Sequence, residues 1–401
     1  MNLRKTIHPK VIIGQITGFL MICILLNLYS CKATKKEAST DIKTLIDSLA
    51  KPLMSENKIP GMSIAITVDG KHSFFNYGIL SKESNQPVTN QSLFELGSIS
   101  KTFTVTLASL SQINGKLDMQ APVSKYLPYL KNTVFDSVKL YYLGTHIAGG
   151  LPLQLPDNIT TDEQLMNYYK TWIPLYAPNT KRVYSNPSIG LLGVIAGKTM
   201  NEPFTKAMTD HVFSKIGMTN TFYDVPQNKM GDYAQGYNKE DQPVRLNPAV
   251  LANEAYGIKS CTQDMLKFVD RNMGVGTTDT PLSKALQATH TGYFTTGSMT
   301  QDLIWEQYNY PASLSQLLEG NAAEMAYKAS DIKPLTPPMK PQPNVVINKT
   351  GSTNGFASYV IYIPSKKIGI VILANKNYPI KPRVETAYKI LSYLDNPKNK
   401  L

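Results

Sequence analysis

Cysteine is scarce in this chain. Its 401 residues include three, Cys23, Cys31 and Cys261, and the first two fall near the N-terminus. Neither a disulfide framework nor a cysteine-based zinc site can be built from that spacing. Histidine is scarce as well. His8, His72, His146, His211 and His290 form no H-E-x-x-H or H-x-H cluster, so no metal is expected in the chemistry. Low-complexity tracts and internal repeats are missing, which excludes a disordered chain and a solenoid. Acidic residues are the minority, 29 against 41 basic ones, for a net charge of +12. The basic residues are scattered and not interleaved with aromatics, which argues against nucleic acid as a partner. Attraction to anionic small molecules or to an anionic envelope surface fits that charge better. A G-x-S-x-G nucleophile elbow is also absent. The run from Gly193 to Thr199, GVIAGKT, has one residue too few between its glycines for a phosphate-binding loop.

What is present suffices for a real hydrophobic core. Hydrophobic residues make up 42% of the chain, and the length suits one large domain or two modest ones. Residues 1–35 read as an export leader. Arg4, Lys5 and Lys10 precede a mostly apolar run over residues 11–28, closed by Ser30 and Cys31. A signal peptidase cut within residues 30–38 would free the chain into the periplasm. Alternatively Leu28-Tyr29-Ser30-Cys31, which resembles a bacterial lipobox, would place a lipid on Cys31. Residues 36–401 then form a single catalytic domain. An amphipathic helix is expected over residues 40–55, with Ile42, Leu45, Ile46, Leu49 and Leu53 on one face. Strands at 62–68 and 72–77 are joined at Asp69-Gly70, a hairpin signal. Residues 116–226 read as helices and loops, and residues 231–262 as loop. Strands return at 345–348, 356–363 and 368–373. A last amphipathic helix carries Val384, Ala387, Tyr388, Leu391 and Leu394. The fold class is therefore α+β: one antiparallel sheet built from both termini, flanked by helices, with a mainly helical region inserted at about 98–226.

The chemistry is organised around Gly97-Ser98-Ile99-Ser100-Lys101. A helix is expected from Ser98 to Asn114, stopped by Gly115. Lys101 lies three residues beyond Ser98 on the same helical face. A serine hydroxyl is a poor nucleophile until a neighbour takes its proton, and a buried amine can do so. A helix start adds backbone N–H groups suited to a developing oxyanion.

Two further groups follow in order: Tyr184-Ser185-Asn186 and Lys349-Thr350-Gly351. With S-x-x-K they make the S-x-x-K, Y-x-N, K-T-G set of the penicillin-binding-protein and serine β-lactamase superfamily. The chain resembles the class C serine β-lactamases in particular. The likeness extends to Ile59-Pro60-Gly61-Met62, the stretch 94–103, Gly149-Gly150-Leu151-Pro152-Leu153-Gln154, residues 184–190, residues 349–356 and residues 374–379, and so covers about residues 40–395.

That resemblance implies a β-lactamase/transpeptidase-like fold and acyl transfer in two halves. Ser98 is the implied nucleophile and Lys101 its proton acceptor or a partner of Tyr184. Tyr184 is implied in deacylation, with the base left open between Tyr184, Lys101 and the substrate itself. Implied substrate contacts are Gln154, Asn186, Tyr256, Lys349, Thr350, Gly351, Ser352, Asn377 and Arg383. The backbone N–H groups of Ser98 and Ser352 form the implied oxyanion hole. Substrates are penicillins and cephalosporins, no cofactor or protein partner is implied, and a monomer is the family expectation. The alternative within the fold is a D-alanyl-D-alanine carboxypeptidase or esterase; a non-catalytic β-lactam sensor is the remote one. Three places depart from the family pattern: Ile380, where an asparagine is common; residues 300–304; and His146-Ile147, which stand for a Tyr-Thr pair. The last two are expected to leave the core motifs untouched.

Overall fold

The structure is a computed structural model, and it describes residues 41–399. The expected leader, with Cys23 and Cys31, lies outside the described residues. The chain opens with helix α1 (Ile42–Glu56) and the hairpin β1 (Gly61–Val68) and β2 (Lys71–Gly78). Asp69 and Gly70 turn it with φ of 50° and 80°, both in the left-handed region that a two-residue hairpin turn of matching twist requires. A helical part follows, containing α2 (Ser100–Ile113), α3 (Asn186–Met200), α4 (Thr262–Asn272) and α5 (Pro281–Ala288). The chain then returns to strands: β3 (Gly292–Thr296), β4 (Met299–Asp302), β5 (Glu306–Asn309), β6 (Lys333–Met339), β7 (Val345–Ser352), β8 (Ala357–Ile363) and β9 (Ile368–Ala374). Helix α6 (Ile380–Asp395) ends the fold.

The strands form one antiparallel sheet in the order β6-β3-β4-β5-β7-β8-β9-β1-β2. The N-terminal and C-terminal strands meet towards one side of it, where Ile64 pairs with Ile372 across β1 and β9. Side chains alternate across a strand, so each central strand feeds two cores. On β9, Ile368, Ile370 and Ile372 pack with α1 and α6, while Val371 and Leu373 pack with the helical part. On β8, Tyr359 and Ile361 take the first side and Val360 and Tyr362 the second. A strand buried on both faces reads as a continuous apolar run, which is why β8 and β9 stand out in the sequence.

Two differences from expectation matter. Strands β3 to β6 were not expected, because they are short, rich in Thr, Gln, Asp and Glu, and in β6 carry three prolines. Prolines suit β6 because it is the sheet edge, where missing N–H donors cost nothing. The helical part also extends beyond residue 226. It runs up to β3 and includes α4 and α5, so the region 231–262 leads into a helix whose Phe268 stacks on Phe103 of α2 at 3.9 Å.

Candidate active site

Helix α2 begins two residues later than its sequence suggests. Gly97–Ile99 form a tight 3-10 turn, and the α-helix starts at Ser100. Ser98 sits on that turn, half-buried, and its hydroxyl caps no N–H of the helix. It meets Lys101 instead, whose Nζ donates to Ser98 Oγ at 2.8 Å and to the carbonyl of Ala255 at 2.9 Å. Helix α2 is buried almost throughout, and Lys101 is fully buried. Desolvation disfavours an ammonium. Burial, aided by Lys349 and opposed by Tyr184, brings Lys101 down to about 8.

Tyr184 lies just before α3, where Ser185 caps the helix by accepting from Ser188 N at 3.0 Å. Three cations surround its ring. Lys101 Nζ is 5.3 Å from the ring centre, Lys349 Nζ 5.2 Å, and the Arg182 guanidinium carbon 5.4 Å. The phenol oxygen is buried and meets no partner at hydrogen-bonding geometry. Burial pushes the phenol up, but Lys101 and Lys349, with Ser98 nearby, outweigh it and bring it down to about 8. Lys349 comes from β7. Burial would lower it, yet the Glu306 carboxylate at 3.2 Å and Tyr184 hold it above the ordinary lysine value, so it stays charged. Glu306, on the neighbouring strand β5, also faces Arg182 at 4.0 Å.

Close backbone contact fixes β7 against the Ser98 turn. A Cβ on Gly97, whose φ is 54°, would stand 2.5 Å from the carbonyl oxygen of Ser352, and one on Gly351 would stand 2.0 Å from that of Leu96. Ser358 Oγ on β8 donates to the same Leu96 carbonyl at 2.7 Å. Only glycine allows this approach. Thr350 and Ser352 remain accessible along the strand. Behind it lies Arg383 of α6, buried, whose guanidinium donates to the Gly351 carbonyl at 2.8 Å, to Ser352 Oγ at 2.9 Å, to Asn377 Oδ1 at 3.4 Å and to the Tyr378 carbonyl. The sequence puts Arg383 among substrate contacts. The structure puts both its terminal nitrogens on protein acceptors, so it braces β7 from behind. Burial lowers it to about 10.

On the other side opens a cavity of about 560 Å³, lined by Gln154, Asn186, Leu251 and Tyr256 among others. Gln154 is exposed and Tyr256 half-buried there. Asn186 is fixed through its N–H, which donates to the Leu153 carbonyl at 3.0 Å, while its Oδ1 is buried without a partner. The structure thus gathers Ser98, Lys101, Tyr184 and Lys349 through direct contacts. Gln154, Asn186 and Tyr256 share the adjoining cavity. Among the described residues no group of three His, Cys, Asp or Glu side chains could hold a metal ion.

Sequence reasoning missed Arg182 and Glu306. Neither belongs to a motif: Arg182 is two residues before Tyr184, between half-buried neighbours, and Glu306 follows Trp305 within a buried run. His146 was expected to lie clear of the core motifs. It does not: its ring centre lies 4.3 Å from that of Tyr184, and its Nδ1 accepts from Ser185 N at 3.2 Å.

Comparison with known proteins agrees with this geometry. The model of the family described as Beta-lactamase matches residues 46–395. A β-lactamase of Pseudomonas fluorescens is 48% identical over 357 residues, which is 89% of this chain and all of that one. The crystal structure of a class C β-lactamase in complex with cefoxitin superposes with a TM-score of 0.85 at 50% identity, over 88% of this chain and 98% of the other. A β-lactamase/D-alanine carboxypeptidase from Pseudomonas syringae superposes with a TM-score of 0.87 at 50% identity, over 89% and 99%.

Proposed function

The chain belongs to the beta-lactamase family and is a serine β-lactamase of class C, and from that premise we propose how its own residues carry the reaction. Ser98 Oγ attacks the lactam carbonyl carbon. Its proton passes to Lys101, the carbon–nitrogen bond of the ring opens, and the proton reaches the departing nitrogen through Tyr184. Ser98 is left acylated. Water then attacks the ester carbonyl, giving its proton to Tyr184 as its oxygen bonds the carbon; the bond from that carbon to Ser98 Oγ breaks, and Tyr184 passes the proton to Oγ, so that Ser98 leaves as the alcohol. The product is the ring-opened acid. Backbone N–H groups of Ser98 and Ser352 hold the oxyanion. The contacts at Gly97 and Gly351, which hold the two backbones together, support that assignment. Lys349 and Thr350 take the substrate carboxylate, and Gln154, Asn186 and Tyr256 the substrate's side-chain amide and the wall beside it. Asn377 stands at the carboxylate end. Arg383 contributes by holding Gly351, Ser352 and Asn377 in register.

One observation carries the reading: Ser98 Oγ is 2.8 Å from a buried lysine that also stands at the face of Tyr184. Proton transfer needs a donor and acceptor near a common pKa, and Lys101 and Tyr184 both sit at about 8. Penicillins and cephalosporins are the substrates, and their turnover would protect a host from these antibiotics. The basic and apolar leader supports export to the periplasm, with residues 36–401 as one catalytic domain acting as a monomer. Among the described residues, no helix is long and apolar enough to cross a membrane.

The test is turnover of a chromogenic cephalosporin by the purified protein beside Ser98→Ala. We expect many turnovers per molecule, reduced by at least about 1,000-fold in the variant. A single stoichiometric burst that then stalls would point to the carboxypeptidase chemistry of the same fold. Unchanged turnover in Ser98→Ala would remove Ser98 from the mechanism.

A further inference from the structure

The side chain that touches Tyr184 most closely without belonging to any motif is His146. It lies on the loop after residues 140–144, at φ 64°, the left-handed region that side chains other than Asn, Asp and His seldom adopt. Its backbone carbonyl accepts from Val183 N at 2.8 Å, and its Nδ1 accepts from Ser185 N at 3.2 Å. Both neighbours of Tyr184 in sequence are therefore held by this one residue. An Nδ1 that accepts carries no proton, so the neutral ring has its proton on Nε2. That Nε2 is buried and has no acceptor. The ring itself is tilted 45° against the Tyr184 ring at 4.3 Å. A buried donor without a partner is costly, and one kept beside a reacting group calls for an account.

We propose that His146 is a positioning residue for Tyr184: it pins the flanking backbone through Nδ1 and its carbonyl, and its Nε2–H presents a fixed positive dipole that favours the ionised phenol. The inference rests on the assignment of Tyr184 to proton transfer. The ring must remain neutral to do this, and its surroundings keep it so. Burial, Arg182, Lys101 and Lys349 hold His146 well below the ordinary histidine value. The charged groups facing the pair are Lys101 from α2, Arg182 from the segment before Tyr184, Lys349 from β7 and Glu306 from β5. Of these only Glu306 is anionic, and it is paired with Lys349 and Arg182. The dipole of His146 thus adds to a field already set for an anion at Tyr184, without adding a charge that would compete with the lysines.

His146→Asn and His146→Gln separate the two functions. Asparagine tolerates the left-handed backbone and offers Oδ1 where Nδ1 stood, but has no donor at the Nε2 position. Glutamine places its amide N–H near the Nε2 position and loses the acceptor for Ser185 N. We expect the acid limb of the kcat/KM profile to move up by roughly half a unit to one unit in His146→Asn. Turnover at pH 7 should drop by roughly three- to tenfold. In His146→Gln the limb should stay while the thermal midpoint falls. In the Tyr184→Phe background, His146→Asn should change neither the rate nor the profile. A limb that does not move in a folded His146→Asn overturns the proposal, leaving a packing role. Nitrogen-15 spectra of the wild-type ring give a second reading that needs no stable variant. The ring should show the Nε2–H tautomer from pH 5 to 9, with a step as Tyr184 titrates that is lost in Tyr184→Phe. A ring that protonates in this range, or shows no such step, also overturns it. Because Ser98→Ala tests the acyl-transfer reading separately, wild-type turnover lost in Ser98→Ala with an unmoved limb would defeat this inference alone.

Discussion

Burial alone would make an ionised phenol unfavourable at Tyr184, yet Lys101 and Lys349, each about 5 Å from its ring centre, reverse the balance. Two unit charges about 5 Å apart, in surroundings of effective dielectric near 20, interact by about 3 kcal/mol. Two lysines acting together can thus offset the desolvation of one oxygen. Lys101 and Tyr184 titrate as a pair. The base form gains as pH rises, so kcat/KM should climb through about pH 8. Removing the phenol tests this. Tyr184→Phe should lower kcat by about 100- to 10,000-fold and abolish that limb. Its thermal midpoint should hardly move, because the phenol oxygen has no hydrogen bond to lose. A variant that loses activity in step with its stability would mean that Tyr184 serves packing alone. At this scale the motifs made Ser98, Lys101, Tyr184 and Lys349 legible, because chemistry constrains residue type and order there. Arg182, Glu306 and His146 act by burial and proximity, which a linear sequence does not display.

Strand β7 shows how an element serves the site. It carries Lys349, Thr350 and Gly351 near its C-terminal end, presses its backbone on the Ser98 turn, and is held from behind by Arg383. Gly351→Ala would put a methyl group 2.0 Å from the Leu96 carbonyl oxygen and 2.4 Å from Ser358 Oγ. Backbone atoms cannot yield as a side-chain tip can, so the strand must move off the turn. A misplacement of about 1 Å can cost about 100-fold in rate. We expect such a loss in kcat/KM, with a lowered thermal midpoint, while circular dichroism keeps its shape. Activity within about twofold of wild type would mean that the strand does not set the geometry at Ser98. The elements legible in sequence are those whose burial gives a clear period: the hairpin at Asp69-Gly70, the apolar strands β8 and β9, and the terminal helices. Strands β3 to β5 exist because β7 offers them an edge to extend. Their polar side chains, Gln301, Asp302 and Glu306, are buried and do not face water, so the usual alternation is lost.

The whole molecule places two apolar cores on the two faces of one sheet, and the helical face holds ionisable groups that the reaction does not use. Asp302, on β4, is buried with neither carboxyl oxygen partnered, and burial holds it well above the ordinary carboxyl value. His290 is buried beside Tyr362, whose hydroxyl lies 2.7 Å from its Nε2, and burial lowers it to about 3. Their effects on stability have opposite signs. From about pH 3 to 6.5 the unfolded chain carries a proton on His290 that the folded chain does not, so stability rises with pH. Above about pH 3.8 the unfolded chain has lost the Asp302 proton that the folded chain keeps, so stability falls with pH. Each slope is about 1.36 kcal/mol per pH unit. Above pH 3.8 the two oppose each other, and the His290 contribution ends at about pH 6.5. Asp302→Asn keeps the shape and removes the acid. Denaturant melts should therefore match wild type near pH 3, below the 3.8 of an ordinary aspartate, where the carboxyl is protonated both folded and unfolded. At pH 8 the variant should be the more stable, with a gap that opens as pH rises above about 3.8. A gap that is constant with pH would mean that Asp302 is ionised in the folded protein, and a wild type more stable at pH 8 would mean that its charge is held by a partner.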